Sequence, residues 1–124
     1  MMLLRIMLFC IAMMQIHCIN YTDTVTGSVV DGNIGLPIPE AEVRFELYDF
    51  ADKKVYGDDP IVSTDMDGVY SWKNSETMIL FQGGGGGLPD KAIITVTKAG
   101  YKPYKSAEFV KLSSNVVHNV KLVP

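Results

Sequence analysis

Two stretches decide the fold: Thr64-Asp65-Met66-Asp67-Gly68-Val69-Tyr70-Ser71-Trp72 and Thr95-Val96-Thr97-Lys98-Ala99-Gly100-Tyr101-Lys102-Pro103. The first is a tight Asp-x-Asp-Gly turn that opens an alternating strand. The second is an alternating strand stopped by a Gly-Tyr-x-Pro break. Nothing else in the chain has the look of reaction chemistry.

Outward from these stretches the period of two persists. Thr24 to Val30 is β-rich and ends at Asp31-Gly32-Asn33. Leu36-Pro37-Ile38-Pro39 makes an irregular entry to the next strand, because proline cannot donate to a ladder. In Ala41 to Tyr48, Val43, Phe45 and Leu47 share one face, and Glu42, Arg44, Glu46 and Tyr48 share the other. A polar loop, Asp49 to Asp59, follows. Further short strands are expected at Ile61–Thr64, Val69–Lys73, Thr77–Phe81, Lys91–Lys98, Tyr104–Leu112 and Val116–Leu122. No segment carries a helical stripe. The pattern predicts an all-β, antiparallel sandwich of seven or eight strands.

The five glycines Gly83 to Gly87 have no side chains to pack and a high ordering cost, so they fit a mobile loop. A phosphate cradle would need a Lys-Ser/Thr ending and a helix behind it. Leu88-Pro89-Asp90 and a strand follow instead.

The N-terminus reads as a secretory signal peptide over residues 1–18. Arg5 supplies the positive end, Ile6 to Ile16 is largely apolar, and Gln15, His17 and Asn20 end the run. The apolar run is shorter than the roughly 20 residues that span a bilayer. Cleavage after Cys18 would start the mature domain at Ile19, and removal of 18 of the 124 residues leaves 106. That is one domain, residues 19–124, able to bury a core without staples. Lipid attachment at Cys18 is the rival; it alone would bring the chain to a membrane, and His17 is a poor residue to precede it. Both cysteines, Cys10 and Cys18, lie in or at the edge of this segment, so the mature domain would have no disulfide although it enters an oxidising route. The chain is expected to be secreted or periplasmic. Asn20-Tyr21-Thr22 matches a glycosylation acceptor, but it sits very near the new terminus.

The formal net charge of −3 gives no reason to expect nucleic acid as a partner. The signs are unevenly spread: Glu40 to Glu76 is acid-rich, and lysines dominate from Lys91 onward. A basic sheet face for an acidic partner is one reading, carried by Lys98, Lys102 and Lys105 among others. Solvated faces that differ in sign are the other.

The ordered motifs resemble the carboxypeptidase regulatory-like domains. Thr26-Gly27-Ser28-Val29-Val30-Asp31 followed by Leu36-Pro37-Ile38-Pro39-Glu40-Ala41-Glu42-Val43 is similar to that family's opening G-x-V-x-D … P-L-P-x-A-x-V. Thr64 to Tyr70 resembles its T-D-x-x-G-x-Y, Val96 to Tyr101 its V-x-x-x-G-Y, and Val120-Lys121-Leu122 its final V-x-L. The likeness covers nearly the whole mature chain. It implies a transthyretin-like (prealbumin-like) sandwich and, in that family, a non-catalytic accessory role. The long Asp49–Asp59 loop and the Gly83–Leu88 insertion depart from the pattern.

The candidate sites divide between chemistry and architecture. Asp65-x-Asp67-Gly68 invites a calcium reading, yet calcium wants six to eight oxygens and Val69 begins a strand where a third acid is needed. Turn chemistry is the simpler account. Tyr70 and Trp72 share a face and could stack on sugar, but the resembled pattern places that face inside, so Trp72 is expected in the core. Tyr48 and Tyr56 are the better exposed aromatics. His118 shares parity with Val116, Val120 and Leu122 and is expected at the edge of the core. Two enzyme classes use the implied fold. Hydroxyisourate hydrolases end in Tyr-Arg-Gly-Ser and carry several histidines, whereas this chain ends Lys121-Leu122-Val123-Pro124. Intradiol dioxygenases hold iron with two tyrosines and two histidines, and His118 is the one histidine left after cleavage. No nucleophile elbow is present.

The expectation is a secreted binding module without catalysis or cofactor. Its partner would be a protein or a glycan, and its state a monomer or weak oligomer. A transthyretin-type carrier of apolar ligands and an unrecognised hydrolase are the alternatives.

Overall fold

A computed structural model describes residues 18–55, 57–79 and 89–124. Met1 to His17, Tyr56 and the Gly83–Gly87 run lie outside the described residues, and with them most of the expected signal peptide.

The described chain forms strands and no helix. In order they are β1 (Cys18–Asp31), β2 (Glu42–Tyr48), β3 (Ile61–Ser63), β4 (Val69–Ile79), β5 (Lys91–Thr97), β6 (Tyr104–Lys105), β7 (Val110–Lys111), β8 (Val116–Val117) and β9 (Val120–Leu122). Two sheets pack face to face. One runs β4-β1-β8, with β9 also on β1; the other runs β3-β2-β5-β6, with β7 also on β5. The all-β sandwich is as the alternation predicts.

Pairing is antiparallel throughout the second sheet and between β1 and β4. The C-terminal strands differ: β8 and β9 both join β1 in parallel, so the first sheet is mixed. Asn119 separates them, where one continuous strand over Val116–Leu122 was expected. Its side-chain oxygen accepts the Ser28 N–H at 3.0 Å, a bond the main chain would otherwise make. Ser106 divides the expected Tyr104–Leu112 strand in a similar way. The buried Ser106 accepts the Ile94 N–H on its Oγ at 3.0 Å, and the chain then leaves the sheet until Val110.

The other difference lies in β1 and β4. β1 begins at Cys18 rather than Thr24, and β4 is one strand where a break after Lys73 was expected. Their register runs unbroken from Ser28↔Val69 to Cys18↔Ile79. Asn74, Ser75 and Glu76 lack apolar alternation, but ladder bonds need only main chain.

Alternation fills the core. Val25 and Val29 of β1, Val43 and Phe45 of β2, Tyr70 and Trp72 of β4, Ile94 and Val96 of β5, and Val120 and Leu122 of β9 are buried together. Trp72 is 9% exposed and stacks on Phe45 with ring centroids 4.8 Å apart.

The recurring motif residues tie loops to this core. The Thr64 hydroxyl is buried; it donates to the Ile38 carbonyl at 2.7 Å and accepts the Ala41 N–H at 2.8 Å, which pins the proline-rich entry. Asp65 Oδ1 accepts the N–H groups of Asp67 and Val69, both at 2.9 Å, so it serves the turn. Gly68 closes that turn at φ 73°, and a Cβ there would come within 2.7 Å of the Val29 carbonyl. Asp31 ends β1 with its Oδ1 on the N–H groups of Asn33 and Ile34, while its Oδ2 accepts the Tyr101 hydroxyl at 2.8 Å. The Tyr101 hydroxyl first, and then the Asn33 N–H, hold the Asp31 carboxyl below its ordinary value.

Candidate binding face

The outward residues of the five-stranded sheet form one continuous surface. Strand pairing arranges them in rows: Tyr48 beside Lys91 and Lys111, Glu46 beside Ile93, Arg44 beside Thr95 and Lys105, and Glu42 beside Thr97. The parity read from the sequence places Glu42, Arg44, Glu46 and Tyr48 together, and the structure keeps them so.

An aromatic cluster stands at one end of this face. Tyr48 meets Phe109 edge-on, with centroids 5.0 Å apart, and donates its hydroxyl to Glu46 Oε2 at 3.1 Å. These contacts leave Tyr48 half-buried, where a freely exposed ring was expected. Burial first, and the Glu46 carboxylate second, push its phenol above the ordinary value. The Lys91 ammonium lies over the Phe109 ring, 4.5 Å from its centroid, and also pairs with Asp52. Asp52 stands in a turn built by Asp49, whose Oδ1 accepts the N–H groups of Ala51 and Lys53. That turn holds Asp52 in the left-handed region at φ 61°, which an aspartate tolerates better than most residues. Phe109 remains 42% exposed, and Phe50, two positions after Tyr48 in the loop, is 82% exposed.

Two open grooves flank the face. One, of about 490 Å³, is bordered by Glu40, Glu42, Lys98, Tyr101 and Pro103. The other, of about 480 Å³, is bordered by Arg44, Asp58 and Ile61, with the Lys54–Asp59 ion pair (3.1 Å) on its wall. Lys98 and Lys105 therefore belong to this surface. Lys102 does not join them; it is exposed on a turn whose N–H donates to the Val123 carbonyl at 2.7 Å. Tyr56 lies outside the described residues. The face is mixed in sign, because the β2 glutamates are interleaved with the β5, β6 and β7 lysines. Phe109 and Lys91 were not legible as site residues. Phe109 sits where the sequence reads as mid-strand, and its exposure follows from the departure of the chain at Ser106.

His118 lies elsewhere, at the seam where the C-terminal segment crosses β1. Its main-chain oxygen accepts the hydroxyl of buried Tyr70, and its Nε2 shares a 3.0 Å hydrogen bond with the Tyr104 hydroxyl. Burial holds its imidazole below the usual histidine value of 6.5. The folded protein thus disfavours the charged ring, and the unfolded chain takes the proton first as pH falls. The contribution of the neutral ring is complete above 6.5 and is lost as pH drops through the folded value. Thermal melts across this window should show stability falling on acidification, with a shallower slope in His118→Gln. Equal slopes in both proteins would contradict this account of the seam.

No family model and no curated protein matches the chain. Solved structures do resemble it. The catechol 1,2-dioxygenase of Acinetobacter radioresistens aligns at 15% identity and a TM-score of 0.58, covering 83% of this chain and 52% of that one. The 3-chlorocatechol 1,2-dioxygenase of Rhodococcus opacus aligns at 15% identity and TM-score 0.58, over 83% and 60%. The major pilin subunit of Bacillus cereus aligns at 18% identity and TM-score 0.51, over 82% and 30%. The chain spans about half the length of the dioxygenases and under a third of the pilin. At these identities the likeness is one of fold: a β-sandwich of the kind found within both dioxygenase and pilin chains.

Proposed function

We propose that this chain is a secreted, non-catalytic β-sandwich that binds another protein through the outer face of its five-stranded sheet. The single observation that carries the reading is the cluster of Tyr48, Phe109 and Lys91, with acidic and basic side chains alternating around it. Aromatic anchors inside a polar, mixed-charge surround are what protein interfaces concentrate. Phe109 carries the Lys91 ammonium over its ring, which competes with a sugar for that face and favours a protein partner over a glycan. The motif likeness to carboxypeptidase regulatory-like domains supports an accessory role, and the Arg5–apolar–polar layout supports export.

The test is capture of partners from the producing cells' envelope and culture fluid on immobilised protein. Tyr48→Ala with Phe109→Ala should weaken the captured partner at least tenfold, since anchor truncations commonly cost more than about 1.4 kcal/mol each. Lys121→Ala, exposed on β9 of the other sheet, should leave capture unchanged. Equal capture by the face variant would refute the assignment.

A further inference from the structure

Strand β4 is the outer strand of its sheet, and among the described residues β1 is its one ladder partner. The Val29 N–H donates to the Gly68 carbonyl at 2.8 Å, so this position of the register turns its main-chain groups between the two strands. By alternation Tyr70, Trp72 and Asn74 turn their main-chain groups toward β1. Val69, Ser71, Lys73, Ser75, Thr77 and Ile79 turn theirs away. The turn satisfies Val69: its N–H goes to Asp65 Oδ1 and its carbonyl accepts the Asp65 N–H, both at 2.9 Å. Among the described residues, no strand pairs with the main-chain groups that Ser71 to Ile79 turn outward.

Proteins usually blunt such an edge with proline, a bulge or several charges. β4 contains no proline and no glycine over eleven residues, and its register with β1 has no bulge. Lys73 is the one charged residue among those that turn outward. The other edge strands, β3 and β6 to β9, are two or three residues long and offer no comparable template.

We propose that β4 is a pairing edge for β4 of a second copy, antiparallel about a two-fold axis, so that two four-stranded sheets become one. The edge is its own complement. With the axis at Asn74, Lys73 lies opposite the partner's Ser75, and Ser71 opposite the partner's Thr77. Each lysine then meets a hydroxyl residue, and no like charges are brought together, which matters because directly opposed like charges destabilise a ladder. The same outward residues form the hydrogen bonds on both sides. A strand from a different protein would find one lysine to recognise, among the hydroxyl residues Ser71, Ser75 and Thr77 and the terminal Ile79. β4 belongs to the opposite sheet from the proposed binding face.

Light scattering across a dilution series, from low micromolar to near-millimolar, tests the proposal. The mass of the parent protein should rise toward twice that of the chain. Lys73→Pro removes an outward N–H without touching the β1 ladder, and proline is tolerated at such edge positions. That variant should stay monomeric at every concentration while its Trp72 emission is unchanged. Lys73→Val removes the edge charge and should tighten the dimer several-fold. Tyr48→Ala should dimerise like the parent. A parent that is monomeric throughout, or a folded Lys73→Pro that still dimerises, overturns the proposal. If Lys73→Pro fails to fold, Lys73→Val decides: tighter association supports pairing through β4, and unchanged association overturns it.

Discussion

Gly27→Ala should be among the most damaging single substitutions in this protein. A Cβ at that position would stand 1.9 Å from the His118 carbonyl oxygen and 2.7 Å from the Tyr70 hydroxyl. Neither neighbour can yield cheaply. The oxygen is main chain, and it accepts the hydroxyl of buried Tyr70; the adjoining His118 N–H donates to the Thr26 carbonyl at 2.8 Å. Relief requires the β8–β9 connection to lift from β1, which also strips Asn119 from Ser28. We expect a loss of more than about 3 kcal/mol, at the upper end for overpacking because the obstacle is backbone. Urea unfolding would measure it, with the slope m retained if the remaining fold is intact. A loss under about 1 kcal/mol would mean that the C-terminal segment does not close on β1 as described.

Trp72→Ala should cost on the order of 3–5 kcal/mol, the range for truncating a buried large aromatic. The ring fills the space between the sheets, stacked on Phe45, and its loss leaves Phe45 facing a cavity that the β2–β5 ladder cannot close. The parent emission should be blue-shifted and unmoved by added sugars. A red-shifted, readily quenched emission would place the indole at the surface and return it to the list of binding residues.

Much of this architecture was legible because side-chain alternation reports burial directly. Val43 and Phe45 on one parity and Tyr70 and Trp72 on another are enough to orient β2 and β4. The turn residues were equally readable, since Asp65 and Gly68 suit few other local structures. Less visible was why the motif positions Asp31 and Tyr101 belong together. The Tyr101 hydroxyl reaches Asp31 across seventy positions of sequence, and only the folded chain brings them within 2.8 Å. Interruptions were the other blind spot. Asn119 and Ser106 replace main-chain partners with side-chain oxygens, and nothing in alternation announces such a substitution. The binding face was half legible for the same reason. Tyr48 followed from parity, whereas Phe109 arrives through a loop that leaves the sheet and returns. Cys18 to Asp23 show no alternation and read as the margin of a leader, yet they extend the β1–β4 ladder.

Binding through the Tyr48–Phe109–Lys91 face is the role proposed for this sandwich. Amide-resolved NMR during titration with a captured partner tests it most directly, because one experiment reports both location and turnover. We predict shifts concentrated at Tyr48, Lys91, Ile93 and Phe109, with the titrant chemically unchanged. Shifts centred on Tyr70, Tyr104 and His118, or conversion of the titrant into new species, would contradict the claim.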